Sequence, residues 1–135
     1  TITKEETEVL LGMGKWLETN GEGIYGTVPW RYFGEGTVNA EDGAFKDSDE
    51  KAFTNEDFRF TYKEGELFAF QMRPDGNTVK IKSLRRCDMR YVIFDRIELL
   101  GYGEVSYTRT KEALEIALPE GVKTDLPLCF KINLL

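Results

Sequence analysis

A chain of 135 residues with 41% hydrophobic content holds enough apolar material for one buried core but not for two. Its 18 basic and 24 acidic residues leave a net charge of −6, with no cationic run longer than Arg85-Arg86; this excludes a nucleic-acid partner, since phosphate binding needs a clustered cationic face. The absence of histidine removes the commonest general base, metal ligand and nucleophile activator together, and no apolar stretch approaches the roughly 20 residues that cross a bilayer.

The first predicted element is a helix. Val9, Met13, Trp16 and Leu17 recur at spacings of four and three, and Leu10 lies one heptad before Leu17, which makes one apolar stripe. Thr3 with Glu6 three residues on is a capping box, and Asn20-Gly21 is the expected stop, where Gly adopts the left-handed conformation that releases the chain. Gly12 and Gly14 inside the helix each cost roughly 1 kcal/mol against Ala, so they predict a close contact there. After Pro29 the periodicity changes. Residues 31–56 are Gly-rich and acidic and read as connector, and Asp47-Ser48-Asp49-Glu50 lacks the turn Gly and distal Glu of an EF-hand, so it reads as a solvated acidic loop.

From residue 57 a period of two takes over. Phe58, Phe60 and Tyr62 alternate with Arg59, Thr61 and Lys63, and the turn at Lys63-Glu64-Gly65-Glu66 leads into the apolar run that begins at Leu67. Arg73-Pro74-Asp75-Gly76-Asn77 turns the chain again into Val79 and Ile81, so three strands are expected to form a meander. Later strands are marked by Ile97 and Leu99, Val105 and Tyr107, Leu114, Ile116 and Leu118, and Phe130, Ile132 and Leu134. Short strands at regular spacing predict an all-β fold, an antiparallel two-sheet β-sandwich of Greek-key type, preceded by one N-terminal α-helix.

Little here carries chemistry. Gly21-Glu22-Gly23 and Gly101-Tyr102-Gly103 are too short for a phosphate loop and read as turn glycines, so no cofactor is expected, and no ligand set marks a metal site. Cys87 and Cys129 could form one disulfide, but a core of this size needs no staple and both are expected to be reduced. If the chain were itself a hydrolase it would use pairs such as Glu56-Asp57, or Asp88 with Asp95; neighbours on a strand point to opposite faces, so Glu56 and Asp57 cannot both flank one bond. No catalytic residue is assigned.

The run from Leu10 to Trp30 resembles a segment of the α-L-fucosidases of glycoside hydrolase family 29, above all at Asn20-Gly21-Glu22, Ile24-Tyr25-Gly26-Thr27 and Pro29-Trp30. Phe53-Thr54 with Asp57-Phe58-Arg59-Phe60-Thr61, and Ile97-Glu98-Leu99-Leu100-Gly101, resemble strands of that family's C-terminal domain. Val28 and Gly23 depart from it, standing where Arg and Ala are common, which weakens any part for this segment in a fucose pocket. The resemblance implies a parent enzyme with a (β/α)₈-like barrel that hydrolyses terminal α-L-fucosides with retention, both catalytic carboxylates lying in that barrel. On this basis residues 1–30 are the terminal helix and exit loop of the barrel region, 31–56 a connector and 57–135 the sandwich domain. No signal peptide opens the chain and its compartment is unknown from these residues; the resemblance implies an extracytoplasmic parent, periplasmic or secreted, in a bacterium.

Three roles follow as expectations. As a scaffold, the domain would meet its partner, the barrel of the same parent, through Trp16 and Trp30, with Tyr32 and Phe33 nearby; in the isolated chain these rings must either fold back onto the sandwich or stay exposed and drive self-association. As a carbohydrate-binding module it would present to glycan the aromatics that fall off the strand period, Tyr32, Phe33, Tyr91 and Tyr102. Catalysis by the chain itself is the third and weakest.

Overall fold

The structure is a computed structural model that describes residues 2–36, 52–87 and 92–135. Asp47-Ser48-Asp49-Glu50, Asp88 and Tyr91 lie outside the described residues.

Helix α1 spans Lys4–Asn20, and its start is the predicted one: the Thr3 hydroxyl accepts from the Glu6 amide at 3.0 Å. Its stop differs. Gly21 stays right-handed at φ −60°, and the chain tightens into a 3-10 turn, Gly21–Gly23. Glycine is needed at Gly21 for room, since a Cβ there would lie 2.5 Å from the Tyr25 ring. Among the described residues nothing makes the contact predicted at Gly12 and Gly14, with no atom within 4 Å of a Cβ at either position.

Among the described residues nine strands follow, β1 (Val28–Glu35), β2 (Phe58–Lys63), β3 (Glu66–Gln71), β4 (Thr78–Ile81), β5 (Phe94–Leu99), β6 (Gly103–Glu104), β7 (Tyr107–Arg109), β8 (Leu114–Ala117) and β9 (Leu128–Leu134). They form two antiparallel sheets, β1-β2-β3-β9-β5-β6 and β4-β8-β7. The last strand returns to the middle of the larger sheet instead of adding at its edge, the long-return connection of a Greek-key-type sandwich. The tightest connection is the β2–β3 hairpin, whose two-residue loop places Glu64 at φ 47° and Gly65 at φ 82°, both central residues being left-handed as a type I′ turn demands.

Two readings of the strand order are corrected. The meander consists of β1, β2 and β3; β4 crosses to the other sheet because β3, buried on both faces, takes β9 as its second neighbour. Text read as connector from residue 31 instead continues β1, an edge strand that pairs with β2 around a bulge between Pro29 and Gly34.

Alternation sends Phe58, Phe60, Leu67, Ala69, Ile97, Leu99, Phe130 and Ile132 between the sheets to meet Val79, Ile81, Leu114 and Ile116. The opposite face of the larger sheet carries a second, smaller cluster of Phe68, Phe70, Leu100 and Cys129, covered by Trp16 and Met72. This outer cluster is where the helix joins the sandwich.

Candidate functional site

The last turns of α1 lie on the outer face of the larger sheet. The Trp16 indole donates to the Pro127 carbonyl at 2.8 Å, and its ring lies 6.0 Å from that of Phe70. Gly23 sits so close to the sheet that a Cβ would fall 2.7 Å from Phe70 Cζ and 2.9 Å from Cys129 Sγ. Around this contact Thr61 Oγ1 donates to the Gly23 carbonyl at 2.6 Å, Lys63 Nζ donates to the carbonyls of Glu22 and Tyr25 at 3.0 and 3.1 Å, and Lys131 pairs with Glu22 and, at 3.3 Å, with Glu66. Hydrogen bonds to Glu22 raise the Lys131 pKa against a smaller lowering by burial. Burial first, and the Glu22 carboxylate second, hold the Cys129 thiol well above its ordinary value, so it is an inert core residue rather than a nucleophile. No disulfide joins it to Cys87.

The rest of α1 overhangs. Val9 is 62% exposed, Leu11 68%, and Leu10 and Met13 are exposed as well, although Val9, Leu10 and Met13 belong to the stripe that seats Trp16 and Leu17. Among the described residues the apolar stripe of α1 is thus covered at its C-terminal end and exposed at its N-terminal end.

Of the two alternatives for the tryptophans, folding back onto the sandwich is the one observed. Trp16 is half-buried in the outer cluster, and Trp30 folds onto the sandwich core, 5.3 Å from Phe60 and 5.2 Å from Tyr32. The two sugar candidates on β1 part company because neighbours on a strand face opposite ways: Tyr32 packs against the core, whereas Phe33 faces outward and is 58% exposed. The Arg59 guanidinium lies 5.5 Å from the Phe33 ring centre and 5.3 Å from that of Phe53, a cation–π contact with each. Burial lowers the Arg59 pKa, opposed by the charge of Asp57, and the group keeps its charge at neutral pH. Tyr102 is exposed at the turn between β5 and β6, away from those rings. The structure therefore gathers no aromatic surface from Tyr32, Phe33 and Tyr102. The alternation Trp30-Arg31-Tyr32-Phe33 carried the signal that separates Tyr32 from Phe33, but the flanking Pro and Gly masked it as a strand.

The carboxylates are likewise dispersed. Asp57 is fully buried, its Oδ2 accepting from the Thr54 amide at 2.6 Å and the Thr54 hydroxyl at 3.1 Å, while Glu56 is exposed and Asp95 accepts from Asn133 at 2.8 Å. Among the described residues no three Cys, Asp or Glu side chains converge as metal ligands. A cleft of about 490 Å³ runs between Glu35, Gly36, Asn55 and Glu56 on one side and Thr78, Lys80 and Lys82 on the other. No aromatic ring lines it, and the Glu35 carboxylate is spent on the amides of Lys82 and Ser83, both at 2.8 Å.

No family model matches the chain. Mouse tissue α-L-fucosidase is 30% identical over 126 residues, which is 91% of this chain and 23% of the mouse protein. Among solved structures, an α-L-fucosidase at 27% identity superposes with a TM-score of 0.66 over 98% of this chain and 26% of its own. Thermotoga maritima α-fucosidase, in complex with a mechanism-based inhibitor, is 26% identical with a TM-score of 0.67 and coverage of 98% and 27%. The chain thus matches α-L-fucosidases over nearly its whole length while spanning about a quarter of theirs. That is the share of one domain in a larger enzyme.

Proposed function

From this likeness we propose that the chain is the non-catalytic C-terminal domain of a retaining α-L-fucosidase, a sandwich that supports the catalytic barrel and meets it through α1. The observation that carries the proposal is the overhanging apolar flank of a helix clamped to the sandwich at its other end. Each aliphatic side chain of that flank contributes about 1.5–3 kcal/mol when fully covered, so a partner surface there is strongly favoured. Hydrolysis with retention needs a nucleophile and an acid/base carboxylate about 5–5.5 Å apart on either side of the glycosidic bond. With Asp57 locked to Thr54 and Glu56 turned to solvent, that pair belongs to the barrel, which needs about 250 residues of its own.

The test uses the full-length parent and the 135-residue chain side by side on a chromogenic α-L-fucoside. The parent is expected to release aglycone and the chain to release none. Leu10→Asp/Met13→Asp in the parent is expected to shorten the half-life at elevated temperature at least tenfold with little change in initial KM. Aglycone release by the chain alone, or an unchanged half-life, overturns the proposal. In a titration of the labelled chain with fucose and fucosylated oligosaccharides, saturable amide shifts around Phe33 or Tyr102 would make it a carbohydrate-binding module instead.

A further inference from the structure

An Asp or Asn followed by Gly has a chemistry of its own. The glycine amide nitrogen can attack the preceding side-chain carbonyl carbon, because glycine has no side chain to shield that nitrogen. The chain has this pair at Asn20-Gly21, Asp42-Gly43 and Asp75-Gly76, and the second lies outside the described residues. The other two meet opposite surroundings. Asn20 is buried, its Nδ2 donates to the Trp16 carbonyl at 3.1 Å, and the Gly21 amide donates to the Leu17 carbonyl. Both reacting groups are thus held by the end of α1. Asp75 and Gly76 stand exposed in the link from β3 to β4, and among the described residues neither takes part in a hydrogen bond or ion pair. Gly76 has open space around it, since a Cβ built there would meet nothing within 4 Å. Anchoring resumes at Asn77, whose carbonyl accepts from the Leu118 amide at 2.9 Å.

We propose that Asp75-Gly76 is a site of spontaneous covalent modification, where Asp75 closes on the Gly76 amide nitrogen and reopens as isoaspartate. In the first step the Gly76 nitrogen bonds to Asp75 Cγ. The nitrogen's proton and the hydroxyl of the protonated carboxyl group leave as water, and a cyclic succinimide remains. Solvent water then adds back at one of the two imide carbonyls. Breaking the bond between Cγ and nitrogen restores aspartate. Breaking the bond between the Asp75 main-chain carbonyl carbon and nitrogen leaves the backbone running through the side chain, with a free α-carboxylate. One water leaves and one returns, so the mass is unchanged and nothing is oxidised or reduced. Exposure supplies the water and the freedom to bring nitrogen and Cγ together, both of which a buried, hydrogen-bonded helix end withholds. The product adds one carbon to the main chain where it passes from the larger sheet to the smaller.

The experiment incubates the chain at neutral pH for several weeks, folded and in urea, and maps its peptides by mass spectrometry with fragmentation that separates isoaspartate from aspartate. Water enriched in heavy oxygen marks every passage through the imide, including those that return to aspartate. In the folded chain, isoaspartate and label are expected to accumulate about tenfold or more faster at Asp75 than at Asn20, the difference set by the local opening that Asn20 requires. In urea the order is expected to reverse, because an amide loses ammonia more readily than a carboxyl group loses water once α1 no longer holds Asn20. Asp75→Glu, whose longer side chain would have to close a larger ring, is expected to lose the signal in that peptide. Reaction of Asp75 in urea but not in the folded chain overturns the proposal. So does faster reaction at Asn20 than at Asp75 in the folded chain, or an undiminished signal in the Asp75→Glu peptide.

Discussion

The two ends of helix α1 carry side chains of the same kind and meet different surroundings. At the C-terminal end Trp16 lies against Phe70 and bonds to Pro127, and the following turn is drawn onto the sheet by Thr61, Lys63 and Lys131. At the N-terminal end Val9, Leu10, Leu11 and Met13 stand in solvent. An apolar stripe dictates that a face be covered, but not by what. The final turns find Phe68, Phe70 and Cys129, and the first turns find no such cover among the described residues. The glycines divide in the same way: Gly23 has no room for a methyl group, and Gly12 has nothing near it.

The strongest way to break this comparison is to test the core against the overhang. Phe60→Ala is expected to cost about 3–5 kcal/mol in urea unfolding of the isolated chain, because its ring is 2% exposed between the sheets, whereas Val9→Ala should stay within about 0.5 kcal/mol. Comparable losses at the two positions would mean that the overhang is covered after all. A sharper test sets two glycines against each other. Gly23→Ala should destabilise by about 1–3 kcal/mol through its collision with Phe70 and Cys129, and Gly12→Ala should stabilise the isolated chain by about 1 kcal/mol through helix propensity alone. A Gly12→Ala gain that reverses to a loss in the full-length parent would reveal a close contact with the catalytic domain at that turn.

The smallest effect concerns the charged clamp. The Lys131 pKa is raised in the folded chain, so its contribution is fully present below the unfolded value and disappears as pH rises through the folded one. Stability should therefore fall by about 1 kcal/mol more in the parent sequence than in Lys131→Met above about pH 10, followed by tryptophan fluorescence during unfolding. Parallel alkaline profiles for the two proteins would remove Lys131 from the clamp.

Most strands were legible because burial on one face prints a period of two, as in Phe58, Phe60 and Tyr62 or Leu114 and Ile116. Strand β1 escaped this reading for a physical reason. It has no fully buried residue, carries at its second position a Pro that has no amide to donate, and bulges before Gly34, so its composition resembles a loop. The turn at Arg73–Asn77 was equally visible, yet turn residues show that the chain reverses or bends and not which sheet receives it. The candidate surface was legible only in part. The stripe on α1 could be drawn from spacing, but the contact of Arg59 with two rings required Phe33 and Phe53 to be brought near it.

By itself the sequence determined what is local: the Thr3 cap, the helix period, the inward side of each alternating strand, and a chemistry without histidine. Tertiary structure alone decided what each surface meets, since Trp16 bonds to a carbonyl 111 residues away and Gly23 packs beneath Cys129. Propensity and periodicity act over a few residues, whereas the choice between a covered and an open apolar face depends on side chains that only folding brings together.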